Sequence, residues 1–155
     1  MKRILLSFII GIILGNLIYG SFVSDDNIQY AIGGIEKASP QDWIAEEDIK
    51  VYSSGVFVEL EDARLAKFAD TNSMDPLFDQ GANAIEIIPK TSDEIKVGDI
   101  VAYEYDDMLV VHRVVEINED EQGIYFIMKG DNNSTNDPDK IRFDQIKRVV
   151  VAVIY

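Results

Sequence analysis

Three short stretches carry side chains that can do covalent chemistry as a group. They are "DTNSMDP" (Asp70 to Pro76), "VVHRVVEI" (Val110 to Ile117) and "KGDNNSTNDPD" (Lys129 to Asp139). The first sets Ser73 among polar neighbours at a strand-to-turn corner, with Pro76 restricting the exit. A serine hydroxyl is a weak nucleophile at its own pKa and needs an adjacent base. His112 lies among Val110, Val111, Val114 and Val115, a setting that buries the imidazole and favours its neutral, proton-accepting form. A carboxylate on the other ring nitrogen completes such an arrangement, and the loop after Gly130 offers Asp131, Asp137 and Asp139. Each stretch also has a plainer reading. Ser73 can cap local backbone, and His112 can be a packed core residue. Asp131, Asn133, Thr135 and Asp137 alternate like the early ligands of a calcium loop, although the glycine and terminal glutamate of such a loop are missing.

Composition removes other chemistries. Cysteine is absent, so neither a thiol nucleophile nor a disulfide framework is available. One histidine argues against a multi-histidine metal centre, and neither a metal nor another cofactor is expected. At 155 residues and 47% hydrophobic content the chain can hold one domain with a real core. The formal net charge is −14, and a surface this acidic repels phosphate, which disfavours nucleic acid as a partner.

The elements that must position these residues follow from hydrophobic patterning. Ile4 to Val23, "ILLSFIIGIILGNLIYGSFV", carries no charge, and at ~1.5 Å per helical residue it reaches across a ~30 Å hydrocarbon core. It reads as a transmembrane helix rather than a cleaved signal, since no small-x-small cleavage site follows. Lys2 and Arg3 before the span, with Asp25 and Asp26 after it, predict a cytoplasmic amino terminus and an external domain. Residues 1–24 are thus the amino terminus and anchor, 25–48 a connector, and 49–155 the domain. In the connector, Ser39 as N-cap and Pro40 at the first helical position predict a short helix leading into Trp43 and Ile44. Trp43 suits either packing on the domain or a place at the membrane interface. From Ile49 the period becomes two: "IKVYSSGVFVELED" reads as a hairpin, and "AIEIIP", "DIVAYEY", "LVVHRVVEI", "GIYFIMKG" and "RVVVAVIY" read as strands between turn signals. The fold class is mostly β, a barrel or sandwich behind one amino-terminal helix.

In their order and context, "NSMDP", "VVHRV" and "KGDNN" with its later aspartate resemble the type I signal peptidases of the archaeal and endoplasmic-reticulum kind. The resemblance runs from Thr71 to Tyr155 and includes "VGDIVAYE". It implies an anchored serine endopeptidase that cleaves signal peptides from exported proteins, placed at the membrane with its catalytic domain outside the cytoplasm. Secretion-machinery subunits are the further partners it suggests. By motif, Ser73 matches the nucleophile and His112 the general base, which is lysine in bacterial relatives and in SOS-repressor autoproteases. Asp137 matches the triad acid and Asp131 a second important aspartate. The family usually has Ser-Gly where this chain has Thr71-Asn72, so the Thr71 hydroxyl and the Ser73 N–H stand at the oxyanion position. The stretch "GANAIEI" after the serine box also departs from the family pattern. The reading that competes with an enzyme is a membrane-tethered β-domain that binds partners or calcium without cutting anything.

Overall fold

A computed structural model describes residues 36–155, of which Ala38–Tyr155 form one unit. The apolar run 4–23 lies outside the described residues. Among those described, no helix is long and apolar enough to cross a membrane.

The described chain is mostly β, and every pairing is antiparallel. β1 (Ile49–Tyr52) and β2 (Gly55–Val58) form the hairpin read from the sequence, with Tyr52 opposite Gly55. They stand as a separate two-stranded sheet. The other strands are β3 (Arg64–Lys67), β4 (Asn83–Ile87), β5 (Ile100–Tyr105), β6 (Met108–Asp120), β7 (Gly123–Lys129) and β8 (Ile146–Ile154). They form one sheet in the order β3-β4-β8-β5-β6-β7, so the last strand in the chain is inserted between β4 and β5. Its sequence explains the central place. Val149 and Val150 face opposite sides of the sheet, and both are buried, as in a strand covered on both faces. Strand β3 carried no sequence signal, because "RLAK" is short, half charged and mostly exposed.

Core lies on both faces. Val101, Tyr103, Val114 and Val149 belong to one cluster, whereas Ile100, Ala84 and Val150 belong to a second that also takes Met74 and Phe78. The second cluster seats the serine turn. Met74, next to Ser73, is 2% exposed, and burying a methionine contributes about 1.5–3 kcal/mol.

The β5–β6 connection sets the register of the histidine strand. Asp106 and Asp107 both adopt positive φ (47° and 60°), the two-residue turn whose twist suits a hairpin. Tyr105 therefore faces Met108, and counting back along the ladder places His112 opposite Val101. A register shift between Val114 and Glu116 bends β6 just beyond the histidine.

The short helix expected after Ser39 does not form there; the helical turn falls at Glu46–Asp48 and is of the 3-10 type. A Ser39 cap would need the N–H of Gln41, and that N–H is drawn to the buried carboxylate of Asp99 at 3.0 Å. Gln41 Nε2 and Trp43 Nε1 donate to the same carboxylate at 2.8 and 3.1 Å. Trp43 thus packs on the domain, half-buried against the core. Gly98 permits the approach: at φ +105° it lies where a Cβ would fall 2.0 Å from the Ser39 carbonyl oxygen.

Candidate active site

The serine turn is closed by a carboxylate that the sequence shows only as a turn residue. Asp79 Oδ1 accepts the N–H groups of Thr71 (3.2 Å) and Asn72 (3.1 Å). Burial tends to raise the Asp79 carboxyl, and the N–H donors of Asn72 and Thr71 outweigh it, so the group stays below its ordinary value. Asn72 sits at φ 58°, a left-handed conformation that asparagine tolerates better than most residues. Ser73 follows, half-buried, with Met74 pulled into the core behind it. Its Oγ lies 3.1 Å from Thr71 Oγ1, and its N–H points at the same oxygen at 3.4 Å. The hydroxyl meets another side chain rather than a backbone N–H, so it does not serve as an ordinary cap.

The loop after β7 is bonded to the backbone of this turn. Asn132 N–H donates to the Ser73 carbonyl at 2.9 Å and Asn132 Nδ2 to the Asn72 carbonyl at 3.0 Å. Gly130 makes the approach sterically feasible, since a Cβ there would sit 2.7 Å from the Ser73 carbonyl oxygen. Further along, Asp137 N–H donates to the Met128 carbonyl at 2.8 Å, which brings that residue back over β7.

Asp137 then faces His112. Its Oδ2 lies 2.7 Å from His112 Nδ1, with both side chains largely buried (11% and 15% exposed). Tyr103 Oη donates to the same oxygen at 2.5 Å and lies 3.3 Å from Nδ1. Burial works to raise the Asp137 carboxyl; the bonds from His112 and Tyr103 outweigh it and hold the group below its usual value, hence ionised at neutral pH. An ionised carboxylate accepts only, so Nδ1 carries a proton, and in the neutral ring this tautomer puts the lone pair on Nε2. Burial and the carboxylate push the Tyr103 phenol far above its ordinary value, so it remains a donor.

The other two aspartates of the loop have different partners. Asp131 forms a two-pronged pair with Arg113, Nε to Oδ1 at 2.8 Å and Nη2 to Oδ2 at 2.7 Å, nearly dry at 8% and 7% exposure. The remaining guanidinium donor reaches the carbonyls of Ala38 and Gly98. Asp139 accepts from Tyr105 at 2.8 Å. The calcium reading therefore loses its ligands: Asp131 is turned to Arg113 and Asp137 to His112. No group of three or more His, Cys, Asp or Glu is arranged to hold a metal among the described residues.

The structure thus brings His112 and Asp137 into contact and ties the Ser73 backbone to the same loop. Ser73 Oγ itself is bonded to Thr71, not to His112. Three contributors escaped the sequence reading: Tyr103, Arg113 and Asp79. The hairpin register held the signal for the first, because Tyr103 is the diagonal cross-strand neighbour of His112 on one face.

No family model matches the chain. Part of it is similar to catalytic subunits of signal peptidases. It is 36% identical over 70 residues to the signal peptidase complex catalytic subunit SEC11C of Homo sapiens, covering 43% of this chain and 36% of that protein. With the corresponding catalytic subunit of Candida dubliniensis it shares 38% identity over 69 residues, 43% of this chain and 40% of that protein. An uncharacterised protein of Methanocaldococcus jannaschii is 46% identical over 44 residues, 28% of this chain and 22% of that one. The chain spans less than half the length of each of these relatives. The likeness relates it to the signal peptidases over that stretch.

Proposed function

We propose that this chain is a membrane-anchored serine endopeptidase that removes signal peptides from exported proteins. Ser73 is the nucleophile, His112 the general base and Asp137 the acid that orients it. The observation that carries this reading is the 2.7 Å bond between His112 Nδ1 and Asp137, which leaves Nε2 free to accept a proton. The partial likeness to signal-peptidase catalytic subunits supports the substrate class.

Ser73 Oγ attacks the carbonyl before the scissile bond while Nε2 takes its proton. Asp137 stabilises the imidazolium, which returns the proton to the departing amine. Water, deprotonated by the same nitrogen, then hydrolyses the acyl-enzyme. The Ser73 N–H and the Thr71 hydroxyl receive the oxyanion charge. In the substrate-free state the Ser73 hydroxyl rests on Thr71, and catalytic hydrogen bonds of this kind tighten when substrate arrives. Asp131 acts through Arg113 to hold the loop.

Residues 1–24 anchor the chain with the amino terminus in the cytoplasm, 25–48 connect, and 49–155 form the peptidase domain outside. Exposed Val51, Tyr52, Val56 and Phe57 on the β1–β2 hairpin suit contact with lipid. Substrates are signal-peptide-bearing proteins with small residues at the first and third positions before the cut, and secretion-machinery subunits are compatible partners. The chemistry needs no cofactor. The test is cleavage of a preprotein by the purified full-length chain: Ser73→Ala and His112→Ala each abolish it with the fold intact, and processing retained by either variant ends the reading.

A further inference from the structure

Tyr103 and Tyr105 lie two apart on β5 and so face the same side of the sheet. Asp137 and Asp139 lie two apart in the loop, and the Pro138 between them biases Asp137 toward an extended conformation. The two pairs match rung for rung: Tyr103 donates to Asp137 at 2.5 Å and Tyr105 to Asp139 at 2.8 Å. The rungs differ in burial, Tyr103 being 1% exposed and the Tyr105–Asp139 pair solvent-facing.

We infer that "YEY" on β5 and "DPD" in the loop form a two-rung clamp in which Tyr103 is a positioning residue for the His112–Asp137 pair, an inference that rests on the serine-peptidase reading. Tyr103 and His112 share one oxygen of Asp137. Each donor draws on the charge of that oxygen, so the tyrosine leaves the carboxylate a weaker partner for an imidazolium. Tyr103 thereby limits how strongly Asp137 draws a second proton onto the ring of His112. Among the described residues, the groups that face His112 are Asp137 from the loop and Tyr103 from β5, with Tyr105 and Asp139 one rung further out. Arg113, next on β6, is turned away and paired with Asp131. Tyr105 touches neither His112 nor Asp137 by hydrogen bond, so its part is to hold the segment in line.

The test uses the single histidine of the chain, which gives one set of imidazole signals. In the full-length protein in detergent micelles, with isotope-labelled histidine, Tyr103→Phe raises the NMR titration midpoint of His112 by about half to one pH unit. The acid limb of kcat/KM on a preprotein moves upward by the same amount. Tyr105→Phe leaves the midpoint where it is. A Tyr103→Phe protein that titrates like the parent overturns the inference. If Tyr103→Phe does not fold, incorporation of 3-fluorotyrosine, a more acidic and stronger donor, lowers the midpoint, and an unmoved midpoint overturns the inference equally. A shifted midpoint in a chain that cleaves no preprotein supports the clamp while ending the peptidase reading, so the two failures are told apart.

Discussion

His112 and Arg113 are consecutive on β6 and turn to opposite faces of the sheet, yet they hold the two ends of one loop. Arg113 clasps Asp131 at 2.7 and 2.8 Å, and His112 meets Asp137 at 2.7 Å. Strand alternation makes this division of labour possible. One residue anchors the loop by a dry ion pair, and the next bonds to the acid at its far end.

Asp137→Asn lowers turnover on a preprotein by about 10³–10⁴-fold, because the amide favours the wrong imidazole tautomer and removes the charge that stabilises imidazolium. Its loss of stability is much smaller than that of Asp131→Asn. Steady-state cleavage rates beside thermal melts check both statements, and normal turnover would remove Asp137 from the mechanism.

Asp131→Asn destabilises the domain by about 3–5 kcal/mol, since it leaves the Arg113 guanidinium buried without its counter-charge. Adding Arg113→Met recovers part of that loss by removing the orphaned charge. Urea unfolding of both single variants and the double variant measures the coupling. A stable but inactive Asp131→Asn would reverse the roles given to the two aspartates.

Thr71→Val keeps the shape of the side chain and deletes the hydroxyl 3.1 Å from Ser73 Oγ. Loss of one oxyanion donor costs about 10²–10³-fold in kcat with KM little changed. Unaltered kcat would confine the hydroxyl to shaping the resting turn.

Acid exposes the contribution of Asp137 to stability. Burial tends to raise its carboxyl, and the bonds from His112 and Tyr103 win and lower it. A group depressed in the folded state contributes stability above its unfolded value, about 4, and loses it as pH falls through the folded value. The difference in melting temperature between the parent and Asp137→Asn is therefore present above about pH 4 and closes below it. A gap that persists at about pH 2 contradicts this sign.

The charge pattern around the apolar run predicts orientation. With Lys2 and Arg3 before it and Asp25 and Asp26 after it, protease added to intact spheroplasts reaches the carboxy-terminal domain. Digestion only after lysis reverses the topology.

Local pattern was enough for the strands. Alternation and β-branched content marked β1, β2 and β4 to β8, and the Asp106-Asp107 turn carried the register that sets His112 opposite Val101. The order of Ser73, His112 and the aspartates was likewise legible, because side-chain chemistry is written in residue type. The choice among Asp131, Asp137 and Asp139 was not, for all three sit in one polar loop with similar neighbours. Their partners lie on other strands: Arg113 and His112 on β6, Tyr105 on β5, from 18 to 34 residues away in the chain. The same holds for the helix expected after Ser39, where a distant buried acid, Asp99, took the N–H that the cap required. Periodicity and turn chemistry act over a few residues and are read directly. Which donor meets which carboxylate depends on how the sheet and its loops pack, and only the folded chain decides that.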